Sequence, residues 1–198
     1  MDTAISLIVG LGNPGEEYAE TRHNAGFRFL SAVMKGASVQ LRAEPRFGAD
    51  VGRTNIAGAE VWLLAPTNFM NRSGEAVARF AQYYKIPPER ILVAYDELDH
   101  PPGVVRLKFG GGDAGHNGLH DVIEKLGTAN FTRLRIGVGR PPVSGQGATH
   151  VLKRANTTEQ TLIDGAIARA VAQLPDIVRG QHQKAMNALH TDPPSPAS

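Results

Sequence analysis

The 198-residue chain has no cysteine. That excludes a disulfide framework and any zinc site built on thiolates, and it fits a reducing compartment. A large excess of one charge is also missing. The formal net charge is only +2, so a polyanionic partner has to be met by a local patch rather than by a bulk basic surface. Long hydrophobic runs are missing too. The first apolar stretch, residues 5–9, is cut by Gly10 and Gly12, and no later run approaches the ~20 residues needed to span a bilayer. No basic segment leads into a signal-type apolar core. A soluble, cytoplasmic protein is expected. There is no internal repeat, no G-x-S-x-G elbow and no P-loop, so a serine nucleophile and Walker-type nucleotide chemistry lack their usual marks. With 41% hydrophobic and 20% charged residues, wholesale disorder is excluded, and the length suits one domain.

The chain's strongest feature is its opening. A buried strand over residues 5–11 runs into Gly10, Gly12 and Gly15, and polar residues follow at Asn13, Tyr18, His23 and Asn24. Asn24 is an expected N-cap for a helix to about Lys35. Residues 46–54 and 59–65 read as a hairpin, and residues 71–85 as a helix stopped by Pro87-Pro88. The next strand, residues 91–95, ends on Asp96-Glu97-Leu98-Asp99. Residues 104–109 and 131–138 are further strands, with a helix over 117–126 between them. Arg133 and Arg135 fall opposite Leu134 and Ile136 by strand alternation. Residues 140–148 read as loop, residues 157–174 as a helix, and a short last helix carries Met186 and Leu189. Residues 191–198 are an expected disordered tail. Alternating strands and helices predict a single α/β domain over residues 1–190, a sandwich with a mixed, mostly parallel twisted sheet flanked by helices.

The opening Gly10-x-Gly12-x-x-Gly15 matches a dinucleotide fingerprint, but Pro14 removes a backbone donor and no well-placed acid follows for a ribose. A tight turn is the simpler reading. Asn13 presents an amide just past the strand tip, where it can point into a cleft. His23, alone, is an ordinary surface or capping histidine. It gains weight because Asp96 ends another strand: in a parallel sheet both lie at one edge, where the carboxylate would orient the imidazole and leave its second nitrogen to take a proton from water. Phe69 and Met70, beside Asn71, offer apolar contact plus an amide for gripping a peptide, although Asn71 could be a plain cap. His116 and His120 have the i, i+4 spacing of a zinc helix, but Asn117 stands where such a site needs glutamate and no third ligand suggests itself. Asn117 is either a cap or a donor facing the cleft. Lys108 and Arg135 belong to a basic stretch that is either a solvated face or a grip for phosphates.

These residues together resemble bacterial peptidyl-tRNA hydrolases over nearly the whole chain. The blocks that carry the resemblance are Val9-Gly-Leu-Gly-Asn-Pro-Gly15 through Arg22-His-Asn-Ala-Gly-Phe27, Pro66-Thr-Asn-Phe-Met-Asn71-Arg-Ser-Gly74, Tyr95-Asp-Glu-Leu-Asp99, Gly110-Gly-Gly-Asp-Ala-Gly-His-Asn-Gly-Leu119 and Arg133-Leu-Arg-Ile-Gly-Val-Gly139. The resemblance implies a cofactor-free, metal-independent monomer that hydrolyses the ester between a peptide and the 3′ end of tRNA. It implies His23 as general base, Asp96 as its partner and Asn13 as the sensor of a peptide-bonded amine. Tyr18, Phe69, Met70, Asn71, His116 and Asn117 would bind substrate, and Lys108 and Arg135 would hold phosphates near the acceptor stem and 3′ CCA end. Helix 158–174 would be a lid. Asp113 departs from the family's usual non-acidic residue in its loop, and the stretch after Gly139 lacks a lysine that Arg140 would replace. The alternative is a non-catalytic RNA-binding or ribosome-associated module.

Overall fold

The computed structural model describes residues 3–191. A seven-stranded sheet runs in the order β2-β3-β4-β1-β5-β7-β6, with β1 at Leu7–Gly10, β2 at Arg42–Glu44, β3 at Ala49–Ile56, β4 at Ala59–Pro66, β5 at Ile91–Glu97, β6 at Val105–Phe109 and β7 at Thr132–Gly137. The sheet is mixed, as expected. Its pairings divide evenly: β4-β1, β1-β5 and β5-β7 are parallel and central, and the three outer pairs are antiparallel. All four parallel strands therefore end at one edge, and the site is built there.

Strand alternation divides the apolar residues between two cores. Ile8, Leu92, Ala94, Leu134 and Ile136 face α1 (Ala25–Ala37) and α5 (Thr157–Ala172). Leu7, Val9, Ile91, Val93 and Tyr95 face α2 (Ser73–Tyr83) and α3 (Asn117–Leu126). With both faces covered, β1 and β5 are continuously apolar up to their tips, which is why they read so clearly. Complete burial of a side chain such as Phe29 or Phe80 contributes about 2–3 kcal/mol.

The opening glycines serve a close approach. A Cβ on Gly26 would lie 2.4–2.6 Å from the backbone oxygens of Ala94 and Leu11 and the Leu11 nitrogen, and one on Gly10 would lie 2.4 Å from the Gly26 oxygen. The first turn of α1 thus sits directly on the ends of β1 and β5, and the 3-10 turn Arg22–Asn24 that precedes it is held at the sheet edge. Of the three motif glycines, only Gly15 needs a positive φ, of 102°. The dinucleotide reading fails on the same ground: the Asn13 N–H donates to the Asn24 side chain at 2.8 Å and is not offered to an anion.

Other expectations are adjusted. Asn24 precedes α1 but makes no side-chain cap bond to it. A 3-10 turn, Met70–Arg72, opens α2 two residues late. Residues 140–148, read as loop, lead into a short helix, α4 (Gly147–Val151). The long helix read to residue 174 ends at Ala172. Its chain continues as α6 (Leu174–Val178), with Pro175 in the first turn, and then α7 (His182–Leu189). Strand β2 was not foreseen. Beyond Thr191, the expected tail lies outside the described residues. Among the described residues no helix is long and apolar enough to cross a membrane.

Candidate active site

Residues from four elements meet at the edge where β1 and β5 end. His23 comes from the turn ahead of α1, and Asp96 from β5. The His23 Nδ1 lies 3.0 and 2.9 Å from the two Asp96 carboxylate oxygens. Asp96 is 2% exposed, and an anion there has only its donors to hold it. Burial alone would raise its pKa. His116 first, and then His23, outweigh that effect and bring it from an ordinary 3.8 to about 2. A carboxylate held as an anion accepts a hydrogen bond from the His23 Nδ1–H, which leaves Nε2 as the basic nitrogen on the cleft side.

Asn13 is fixed at every atom but one. The Asn24 side chain accepts from its backbone N–H at 2.8 Å and donates to its backbone carbonyl at 2.9 Å. The Met70 N–H donates to its Oδ1 at 2.7 Å. With Oδ1 occupied, the Asn13 amide presents its NH₂ group to the cleft. Met70 is held in turn by the Ser73 hydroxyl, which donates to its carbonyl at 2.7 Å. Asp121 of α3 accepts from the Gly74 N–H at 2.8 Å and so locks α3 against the start of α2.

The cleft between these elements has a volume of about 420 Å³. Asn13, His23, Phe69, Met70, Asn71, Asp96, His116 and Asn117 all line it, so eight of the residues singled out from sequence come together. A buried histidine–carboxylate pair, amide donors and an apolar wall in one cleft are the groups that hydrolysis of an acyl substrate would call for. A sequence model of the peptidyl-tRNA hydrolase family matches residues 7–196. This chain belongs to that family. Peptidyl-tRNA hydrolases of Acinetobacter baumannii strain AYE and of Neisseria meningitidis serogroup A are 50% and 47% identical to it over 191 residues, spanning 96% of this chain and 98% and 100% of theirs. The crystal structure of the Acinetobacter baumannii peptidyl-tRNA hydrolase superposes with a TM-score of 0.93 at 50% identity, covering 96% of this chain and 97% of that one.

The remaining expected residues lie outside the cleft. Tyr18 sits at its rim, its ring edge-on to the exposed Phe69 at 6.3 Å. Lys108 and Arg135 lie on β6 and β7, where the register sets Arg106 beside Arg135 and Lys108 beside Arg133, on one face. Lys108 is exposed. Arg135 is tied to the buried Glu97 through its Nε at 3.0 Å. Arg133 is 1% exposed and spent on structure, donating to the Gly112, Gly111 and Ala129 carbonyls at 2.6, 2.7 and 3.2 Å and so holding the glycine loop. Asp113 in that loop accepts from the Gly115 N–H and pairs with His120, both at 2.8 Å, and these contacts lower its pKa. Arg140 pairs with Asp99.

The zinc-helix spacing does not converge, because His120 turns outward to Asp113. The one described group with metal-ligand spacing is His23, Asp96 and His116, whose ligand atoms lie within 4.8 Å of one another. That trio fits an ion poorly. The Leu119 N–H points at the His116 Nδ1, so that nitrogen carries no proton, and a neutral His116 must hold one on Nε2, the atom an ion would need. The lid expectation is corrected too. Helix α5 packs on α1 with Ile163, Ala166, Ile167 and Ala170 buried, and none of its residues lines the cleft. The wall is α4, through Gly147, Ala148 and Val151, followed by Leu152 and faced by Leu98. The only sequence signal for it was the pair Val151-Leu152 after a Pro/Gly/Ser-rich stretch.

Proposed function

We infer that this chain hydrolyses peptidyl-tRNA, cleaving the ester between the peptide carboxyl group and the tRNA 3′ end. The observation that carries the reading is the buried His23–Asp96 pair, whose imidazole faces a cleft that also holds the Asn13 NH₂ group. A water on the cleft side gives one proton to the His23 Nε2, and its oxygen attacks the ester carbon. Asp96 stabilises the imidazolium that forms. When the carbon–oxygen bond to the ribose breaks, the imidazolium returns the proton to the departing 3′ oxygen. General-base assistance of this kind is worth about 10²–10⁴ in rate. A donor to the developing oxyanion adds a factor of similar size, and the amides of Asn71 and Asn117 at the cleft mouth are within the group that can supply it.

The unblocked amine of an aminoacyl-tRNA would carry a charge where the Asn13 NH₂ group offers another donor. A peptide bond offers a carbonyl instead, so Asn13 selects peptidyl over aminoacyl substrates. Phe69, Met70, Leu98, Val151 and Leu152 take the peptide, and Tyr18 stacks on the terminal adenosine. Lys108 and Arg135 hold phosphates of the acceptor stem behind the CCA end. The chain acts as a monomer in this reading, and the substrate supports a cytoplasmic site of action.

The reading is tested by incubating the protein with N-acetylated aminoacyl-tRNA and its unblocked counterpart, in EDTA, and measuring release of the labelled acyl group. Release from the blocked substrate, with little from the free amine, is expected. No release by folded protein would refute the enzymatic reading.

A further inference from the structure

We propose that His116 is a positioning residue for this reaction: it holds one fixed tautomer and donates its Nε2 proton to Asp96, so that two imidazoles share one carboxylate. Both of its ring nitrogens are engaged. The Leu119 N–H donates to Nδ1 at 3.1 Å, and Nε2 lies 2.7 Å from the Asp96 Oδ1. The side chain is only 7% exposed, so it has no nitrogen left for substrate, contrary to the substrate-binding role expected from sequence. Because an amide proton faces Nδ1, the ring proton must sit on Nε2. A second ring proton would set N–H against N–H at the amino end of α3, where the helix dipole also opposes positive charge. The N-cap of α3 thus dictates which atom of His116 meets the catalytic carboxylate.

The charged groups around the pair are otherwise committed. Glu97 on β5 is held by Arg135, Asp113 by His120 and the Gly115 N–H, and Asp121 by the Gly74 N–H and Lys125. The Tyr95 ring packs edge-on to His116 at 5.0 Å and adds no charge. Among the described residues, the side chains that bond Asp96 are those of His23 and His116. With two donors on it, the carboxylate remains an anion and a weak base. The proton that His23 takes from water then goes on to the leaving 3′ oxygen instead of stopping at Asp96. His116 tunes that step without touching the substrate.

The inference rests on the hydrolase reading and separates from it through two variants. In His116→Asn, the shorter amide still accepts from the Leu119 N–H, so the helix stays capped, but it does not reach Asp96. In His116→Gln, the longer amide places an N–H near the former Nε2. We expect His116→Asn to lower kcat about 10- to 100-fold at unchanged KM, with the acid limb of the kcat profile moved to higher pH because His23 then has the whole charge of Asp96 to itself. His116→Gln should recover most of both. A His116→Asn variant with wild-type kcat and acid limb, a loss confined to KM, or a His116→Gln no better than His116→Asn would overturn the proposal. Ring-nitrogen NMR of the wild type reads it independently of turnover. A lone Nε2–H tautomer at His116 is expected, and an Nδ1–H or doubly protonated ring refutes it. A wild type that releases no peptide refutes the hydrolase reading, and the NMR result still decides the tautomer.

Discussion

Removal of the Asn24 side chain should damage stability and turnover together. Asn24 is 2% exposed, and both its amide atoms are used on the Asn13 backbone, at 2.8 and 2.9 Å. Asn24→Ala leaves a buried N–H and a buried C=O without partners. Each orphaned group costs about 1–3 kcal/mol, so a loss of roughly 2–6 kcal/mol is expected. At about 2–4 °C per kcal/mol for a domain of this size, Tm should fall by roughly 4–24 °C. The catalytic loss has a separate origin. Asn24 adjoins His23 in sequence and grips Asn13 in space, so it is the tie between the base and the amide. Freeing the Asn13 loop by even an ångström should cost about 10²-fold in kcat. Asn24→Asp keeps an acceptor for the Asn13 N–H but turns a lone pair on the Asn13 carbonyl, and should recover neither quantity fully. Urea unfolding and steady-state release of acyl groups read the two effects. A variant with Tm within a degree of wild type and unchanged kcat would refute the clamp.

Three further outcomes follow from the same contacts. Asp96 has its folded pKa depressed from 3.8 to about 2, so its stabilisation is complete above pH ~4 and is lost as pH falls towards 2. That shift corresponds to about 2 kcal/mol, and urea titrations between pH 5 and pH 2 should show a wild-type slope that Asp96→Asn largely lacks. Gly26→Ala forces a methyl onto backbone atoms 2.4–2.6 Å away that cannot yield as a side chain does, so a loss of about 3 kcal/mol or more is expected by denaturant unfolding. Normal stability would mean that α1 does not need this contact. Lys108→Ala and Arg135→Ala should each raise KM and flatten its salt dependence with kcat kept. Only Arg135→Ala should also lose stability, about 3 kcal/mol, because it strands the buried Glu97 carboxylate. Equal Tm values for the two variants would contradict that pairing.

The strand tips were legible because β1 and β5 are buried on both faces and end in residues that no core would tolerate. His23, Asp96 and Asn13 follow from those tips. What stayed hidden is what lies far apart in sequence. Asn24 looks like a helix cap, and nothing local says that it reaches Asn13 instead. Arg133 and Arg135 have the same strand phase, yet one props the glycine loop and the other neutralises Glu97. His116 reads as a ligand or substrate contact until the α3 amide behind it is seen. The α4 wall was missed because five helical residues after a run of proline, glycine and serine carry little periodicity, and the lid expectation for the helix that follows rested on the family resemblance alone.

The central claim is that His23, oriented by Asp96, activates the water. The most direct test compares wild type and His23→Ala for release of peptide from N-blocked aminoacyl-tRNA, with substrate binding measured in parallel. A fall in kcat of about 10²–10⁴ with tRNA affinity retained is the predicted result. Turnover close to wild type in a folded, tRNA-binding His23→Ala protein would contradict the account.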